Sequence, residues 1–387
     1  MNLVSRGAQR LAFLVLVLTG SPVLADEDRT SPVVDVSGTM EVYASLNTNM
    51  PSNGITAYRG FDQRAGTIAV SNASVTVDGR YGPVDVLIIA QTGLLTSTDY
   101  AAEPSQPLGG GAGESSADLW RHLQQGVIGW DAHEQVRVEA GVFSSPIGVE
   151  AMAAKDGWTF SRSNLFFGLP FYHTGARVHV SVADGMRVSV GVVNGWNSVV
   201  DNNRRPSGYV QLSADTDRID GSLLYFGGVE RGLDAAEGQP WRHLIDAWVQ
   251  ASVHPRVAIS VHGDIGMEEG KTGTDQWVGG AVALRGEIAP RVAIAARGDL
   301  LAEKATPGTS ALFWPTDADG RGRLASATAT LEVKPVSVLQ LRLEGRYDRG
   351  LAPMFFDRTV AEDAATGLGL PERLDQATVT LAAIASF

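Results

Sequence analysis

Three stretches place ionic side chains two residues apart: Arg137 and Glu139; Arg297 and Asp299; Arg342, Glu344 and Arg346. That spacing puts them on one face of an extended strand. The intervening residues are hydrocarbon: Val136, Val138, Ala140 and Val142 in one case, Leu339, Leu341, Leu343 and Tyr347 in another. Ions recurring along one strand face suit electrostatic work on a solute moving in water better than bond-making. Cysteine is absent, which excludes thiol catalysis, disulfides and Cys-ligated metals. The 7 histidines are dispersed, and no Ser/His/Asp arrangement can be assembled from the sequence. Asp317-Ala318-Asp319-Gly320 begins like a calcium loop but lacks the later bidentate Glu. Gly109-Gly110-Gly111-Ala112-Gly113 lacks the spacing of a phosphate-binding loop. No catalytic, cofactor or metal site is therefore expected, and the chain is not expected to be an enzyme.

The same alternation runs through most of the chain. Val257, Ile259, Val261 and Ile265 oppose His262 and Asp264; Val178, Val180 and Val182 oppose Arg177 and His179. An Arg turned toward lipid at mid-depth costs about 2–4 kcal/mol, so each strand has one permitted facing if the apolar side meets lipid. Turn formers mark short connections at Gly82-Pro83, Ala132-His133, Asp184-Gly185, Asp215–Asp217, His254-Pro255, Ala289-Pro290 and Lys334-Pro335. Longer connections at 47–65, 98–118, 148–171, 197–205, 229–240, 268–275, 304–322 and 349–373 alternate with them. Strict segregation of loop length is the asymmetry of an outer-membrane barrel with short periplasmic turns and long extracellular loops. The pattern predicts an all-β, transmembrane, antiparallel up-and-down barrel of about 16 strands (14–18). A two-sheet sandwich is the alternative, but it has no use for wet charges on one strand face after another.

The last stretch, Leu374–Phe387, sets Ala377, Val379, Leu381, Ala383 and Ala385 against Gln376, Thr378, Thr380 and Ser386. It ends on Phe387, like the signal by which outer-membrane barrels are recognised for assembly. At the other end, Arg6 and Arg10, the apolar run Leu11–Leu18 and Ser21–Ala25 read as a signal peptide, residues 1–25. Residues 26–387 are then one barrel domain. The formal charge of −12 argues against nucleic acid as a partner. Trp120, Trp196, Tyr209, Tyr225, Trp241, Trp277 and Tyr347 fall at loop-side strand ends, Tyr81 and Trp130 beside short turns, as interfacial girdles would. Leu119–Trp130 shows no clean alternation, and its register is left open.

Gly60-Phe61-Asp62, Gly141–Gly148, Trp158–Gly175 and Gly191–Trp196 with Asp201-Asn202-Asn203 resemble the OmpL-like β-barrel porin family. The similarity is strongest over residues 35–230. Relatives often carry Lys where this chain has Val142, so no role is transferred to that position. The resemblance implies an outer-membrane barrel of a Gram-negative bacterium with channel activity, and supplies no catalytic residues and no agreed substrate.

The expected function is a porin passing small hydrophilic solutes or ions by passive diffusion. A weak cation preference is expected from Asp35, Glu41, Asp85, Asp246, Asp264 and Glu287. The third long connection, 148–171, is expected to fold inward as a constriction. That would bring Lys155, Asp156 and Arg162 toward wall charges Arg137, Glu139, Arg297, Asp299, Arg342, Glu344 and Arg346. In the alternative, the loop caps the outside and meets lipopolysaccharide. The competing function is a barrel enzyme or adhesive barrel acting through its loops, with His173 as the loop histidine. Expected partners are outer-membrane lipid and lipopolysaccharide, the solute, and two further copies in a homotrimer.

Overall fold

The computed structural model describes residues 31–104, 115–306 and 312–387. The signal-peptide reading and the glycine run at 109–113 lie outside the described residues. Sixteen antiparallel strands form a closed barrel in which each strand pairs with its sequence neighbours. They are β1 (Val33–Asn47), β2 (Ile68–Tyr81), β3 (Val84–Thr92), β4 (Leu123–His133), β5 (Val136–Ser144), β6 (Tyr172–Ala183), β7 (Met186–Val193) and β8 (Ser207–Asp215). The second half is β9 (Ile219–Val229), β10 (Trp241–His254), β11 (Val257–Gly270), β12 (Gly273–Ala289), β13 (Val292–Lys304), β14 (Arg321–Val336), β15 (Leu339–Gly350) and β16 (Asp375–Ser386). Among the described residues the connections hold three short α-helices, α1 (Leu94–Asp99), α2 (Ala117–Trp120) and α3 (Asn164–Phe167), and a 3-10 turn at Ala154–Asp156.

The alternation read from the sequence sets the facing. On β16, Val379 and Leu381 are exposed outward while Gln376, Thr378 and Thr380 are buried inward. On β15, Leu341, Leu343 and Tyr347 face out; Arg342, Glu344, Arg346 and Asp348 face in. With polar side chains inside, the apolar exterior has a physical role only against lipid.

Closure is made where the sequence places it. β16 pairs with β1 from Thr39↔Ser386 to Asn47↔Thr378, and Phe387 and Gly38 exchange both backbone hydrogen bonds at 3.1 Å. The Phe387 ring lies over Gly38; a Cβ there would stand 2.7 Å from it. The ring is otherwise 82% exposed, at the short-turn rim. A second close approach fixes Gly141, whose φ is +137° and where a Cβ would stand 2.0 Å from the Gly126 carbonyl oxygen, so no side chain is admitted.

Three expectations change. The sixth long connection, 268–275, is a two-residue turn, Lys271-Thr272, because β11 and β12 run on to Gly270 and Gly273. Both faces of that extension bear polar residues, so its alternation is lost and it reads as loop. Among the girdle candidates, Tyr225, Trp241 and Tyr347 face outward, as do Tyr81 and Trp130, but Tyr209 and Trp277 are buried inside. Their rings lie across Gly191 and Gly266 of neighbouring strands, which leave room for them. Leu119–Trp130 divides into α2 and β4, with a register shift at Ile89/Ala90 in the partner strand.

Candidate functional site

The connection between β5 and β6, residues 145–171 (L3), meets the barrel wall far from where it starts. β13 stands eight strands round a ring of sixteen from β5. There Arg297 Nη1 donates to Glu150 Oε1 (2.9 Å), Thr159 Oγ1 (2.5 Å) and the Ser161 carbonyl (2.8 Å). Asp299 accepts from the Asn164 amide at 2.8 Å, at the start of α3. On β15, Arg342 donates to the carbonyls of Ala154 (2.8 Å), Gly157 (2.6 Å) and Thr159 (2.9 Å). Glu344 accepts the amides of Phe160 (2.6 Å) and Ser161 (3.0 Å). Arg346 donates to the Arg162 carbonyl and, at 2.9 Å, to Asn164 Oδ1. On β1, Glu41 accepts the Ala154 amide at 2.6 Å.

These contacts have a common logic. An irregular segment held away from bulk water must satisfy its own N–H and C=O groups. Here carboxylates on the wall take the amides and guanidinium groups take the carbonyls. Two of the guanidinium groups are also paired laterally, Arg342 with Glu332 and Arg346 with Asp348, which offsets the cost of burying them.

The structure thus brings Arg297, Asp299, Arg342, Glu344 and Arg346 together around L3. Arg162 is 4% exposed and directs its guanidinium to the Ala151, Met152 and Phe160 carbonyls of its own loop. Lys155 and Asp156 pair with each other at 2.8 Å and remain partly exposed. Arg137 and Glu139 belong to a separate cluster nearer the short turns. Arg137 forks onto Asp85 at 2.7 and 2.8 Å and bonds Asp131 and Glu139; Glu139 also holds Arg177 and approaches His179.

Sequence reasoning did not single out three further features. Asp246 on β10 accepts the Gly148 amide at 3.2 Å and bonds His262 Nε2 at 2.6 Å, pinning the first turn of L3. Beside this pair, both carboxylate oxygens of Asp264 are buried with no hydrogen-bond partner among the described residues. The long-loop mouth is packed with rings from several loops: Tyr58 against Trp314 (5.3 Å) and Phe355 (6.2 Å), Trp277 against Phe313 (5.6 Å), Trp196 against Phe226 (5.8 Å). Only spatial assembly reveals them; the alternation gives the facing of Asp246 and Asp264 but not their partners.

His173 opens β6, not a loop, and is wholly buried. Its Nε2 meets Ser145 Oγ at 3.2 Å and its Nδ1 meets the Gly195 carbonyl at 2.8 Å. A carbonyl thus occupies the place a triad would give to a carboxylate. Outside the spanning strands, burial of Asp99 at the end of α1 raises its pKa to about 7, although the Gln91 side chain donates to it at 2.9 Å.

A closed antiparallel barrel, hydrocarbon outside and ionic within, with short turns at one rim and long loops at the other, defines an outer-membrane porin. The family model described as "Putative beta-barrel porin-2, OmpL-like" matches residues 33–387, and the chain belongs to that family. No curated protein matches it. Among solved structures it resembles OmpT of Vibrio cholerae in its trimer form, with a TM-score of 0.59 and 10% identity over 92% of this chain and 100% of that one. The outer membrane channel DcaP of Acinetobacter baumannii gives a TM-score of 0.58 at 11% identity, covering 94% and 99%. The anion-selective porin from Comamonas acidovorans gives 0.57 at 10% identity, covering 92% and 100%. At such identities the likeness extends to the fold alone.

Proposed function

We propose that this porin is a passive, non-enzymatic diffusion channel for small hydrophilic solutes, narrowed by L3, with a weak cation preference. The observation that carries the reading is the ladder of bonds from Arg297, Arg342, Glu344 and Arg346 to the L3 backbone. A segment fixed against the opposite wall reduces the open cross-section of a sixteen-strand lumen, which is otherwise wide and water-filled. Weakness of the ionic bias follows from the same bonds: most wall charges are paired or held by loop backbone.

Single-channel recording of a variant lacking part of 153–168 tests the constriction. Larger conductance with altered selectivity is expected; unchanged values of both would discard it. A homotrimer in lipid and lipopolysaccharide is proposed as the assembly. The trimer form of the Vibrio cholerae neighbour and the exposed apolar exterior support it.

A further inference from the structure

L3 divides the lumen chemically. On the β10–β15 side, and at Glu41 of β1, its backbone is gripped by ions. On the other side it faces β1–β5 across a cavity of about 280 Å³, and that cavity is different in kind. Its barrel wall carries hydroxyl and amide groups: Thr39, Ser74, Thr76, Gln124, Gln125 and Ser144. The L3 side is largely hydrocarbon, with Ile147, Met152, Leu169, Pro170 and Phe171. The ionic residues at its border are already engaged: Lys155 with Asp156, Glu150 with Arg297 and Ser163. The hydroxyls of Thr39, Ser74 and Thr76 make no hydrogen bond to protein among the described residues. No charged side chain of β2, β3 or β4 lines this space.

Resting on the channel reading above, we infer that this neutral half of the lumen is the solute path and favours uncharged polyhydroxylated solutes over ions of the same size. The chemistry is complementary on both sides. Hydroxyl and amide groups replace the hydrogen bonds a polyol gives up to water, while its C–H faces pack on the hydrocarbon edge of L3. An ion in the same space gives up hydration without meeting a free opposite charge, so its entry is penalised whatever its sign.

The test holds shape constant and changes charge. Glucitol, gluconate and N-methylglucamine share a hydroxylated chain and are neutral, anionic and cationic. Osmotic swelling of proteoliposomes is measured for each, with small counter-ions for the two charged solutes. Glucitol is expected to enter at least about threefold faster than either analogue. Ser74→Asp and Thr76→Lys, each checked for folding by heat-modifiable migration, are expected to slow glucitol and to shift reversal potentials in opposite directions. Equal entry of all three solutes overturns the proposal and leaves the channel reading intact. So does unchanged glucitol entry with unchanged reversal potentials in both folded variants, because the path then runs elsewhere. If folded wild-type barrels admit none of the three, the channel reading fails and the proposal fails with it.

Discussion

Arg342→Ala removes the wall side chain whose three bonds to L3 all end on backbone carbonyls. The guanidinium is 1% exposed and donates to three loop carbonyls, as well as to Glu332 and Gln340. A hydrogen bond from a charged donor contributes roughly 1.5–3 kcal/mol, and water entering a lumen recovers part of each one lost. Taking the low end for three bonds gives about 4.5 kcal/mol of lost anchoring before that recovery, within the range of about 3–5 kcal/mol for breaking a buried ion pair. At about 1.4 kcal/mol per tenfold, the detached population of residues 154–159 rises by roughly two to three orders of magnitude. Glu41 still holds Ala154, and Glu344, Arg297 and Arg346 still hold Phe160, Ser161 and Arg162, so the loop loosens locally, between these anchors.

Two readouts follow. Amide exchange of residues 154–161 accelerates by a similar factor, and single-channel current becomes noisier with a higher mean. Thermal unfolding of the barrel moves little, because the strand ladders do not include these bonds. Arg137→Ala, in the cluster near the short turns, leaves both L3 readouts unchanged. If Arg342→Ala has wild-type exchange over 154–161 and wild-type noise, the wall does not hold the loop and the reasoning is wrong.

Asp264→Asn replaces a carboxylate that is buried without a hydrogen-bond partner among the described residues; thermal unfolding of the folded barrel is expected to move up by an amount on the order of 1 kcal/mol, and a lower midpoint would show that the carboxylate is compensated. Asp99 has its pKa raised by burial to about 7. Its favourable contribution is therefore complete below the unfolded value near 4 and declines as pH rises through about 7. Asp99→Asn should abolish that slope and protect residues 94–101 from hydrogen exchange at pH 8, by an amount on the order of a few kcal/mol; an unaltered pH profile would refute the assignment. Deleting Phe387 uncovers Gly38 and removes the two terminal bonds to β1, so folded yield in outer membranes should fall severalfold; equal yield would show that closure does not depend on it.

The architecture was legible because two constraints coincide. Alternation in Leu339–Tyr347 allows one facing only, since the reverse places Arg342 and Arg346 in lipid at about 2–4 kcal/mol each. The Leu374–Phe387 pattern then supplies a partner for β1. Legibility fails where lipid no longer touches the strand. At Glu268–Asp275 both faces are polar, and the hairpin looked like a loop; at Tyr209 and Trp277 an aromatic near the rim turned inward because a cross-strand glycine left space. The site divides in the same way. Period two revealed Arg297, Arg342, Glu344 and Arg346 as lumen groups, but not that their partners are loop carbonyls and amides, which every residue carries. Arg162 shows the limit: its type suggests a pore charge, while its bonds are to the carbonyls of Ala151, Met152 and Phe160.

Planar-bilayer recording of refolded protein, with folding verified by its shift in migration between heated and unheated samples, tests the central claim most directly. A water-filled lumen predicts discrete, ohmic conductance steps that scale with bulk salt conductivity. A folded barrel that inserts and gives no conductance in any salt would contradict it.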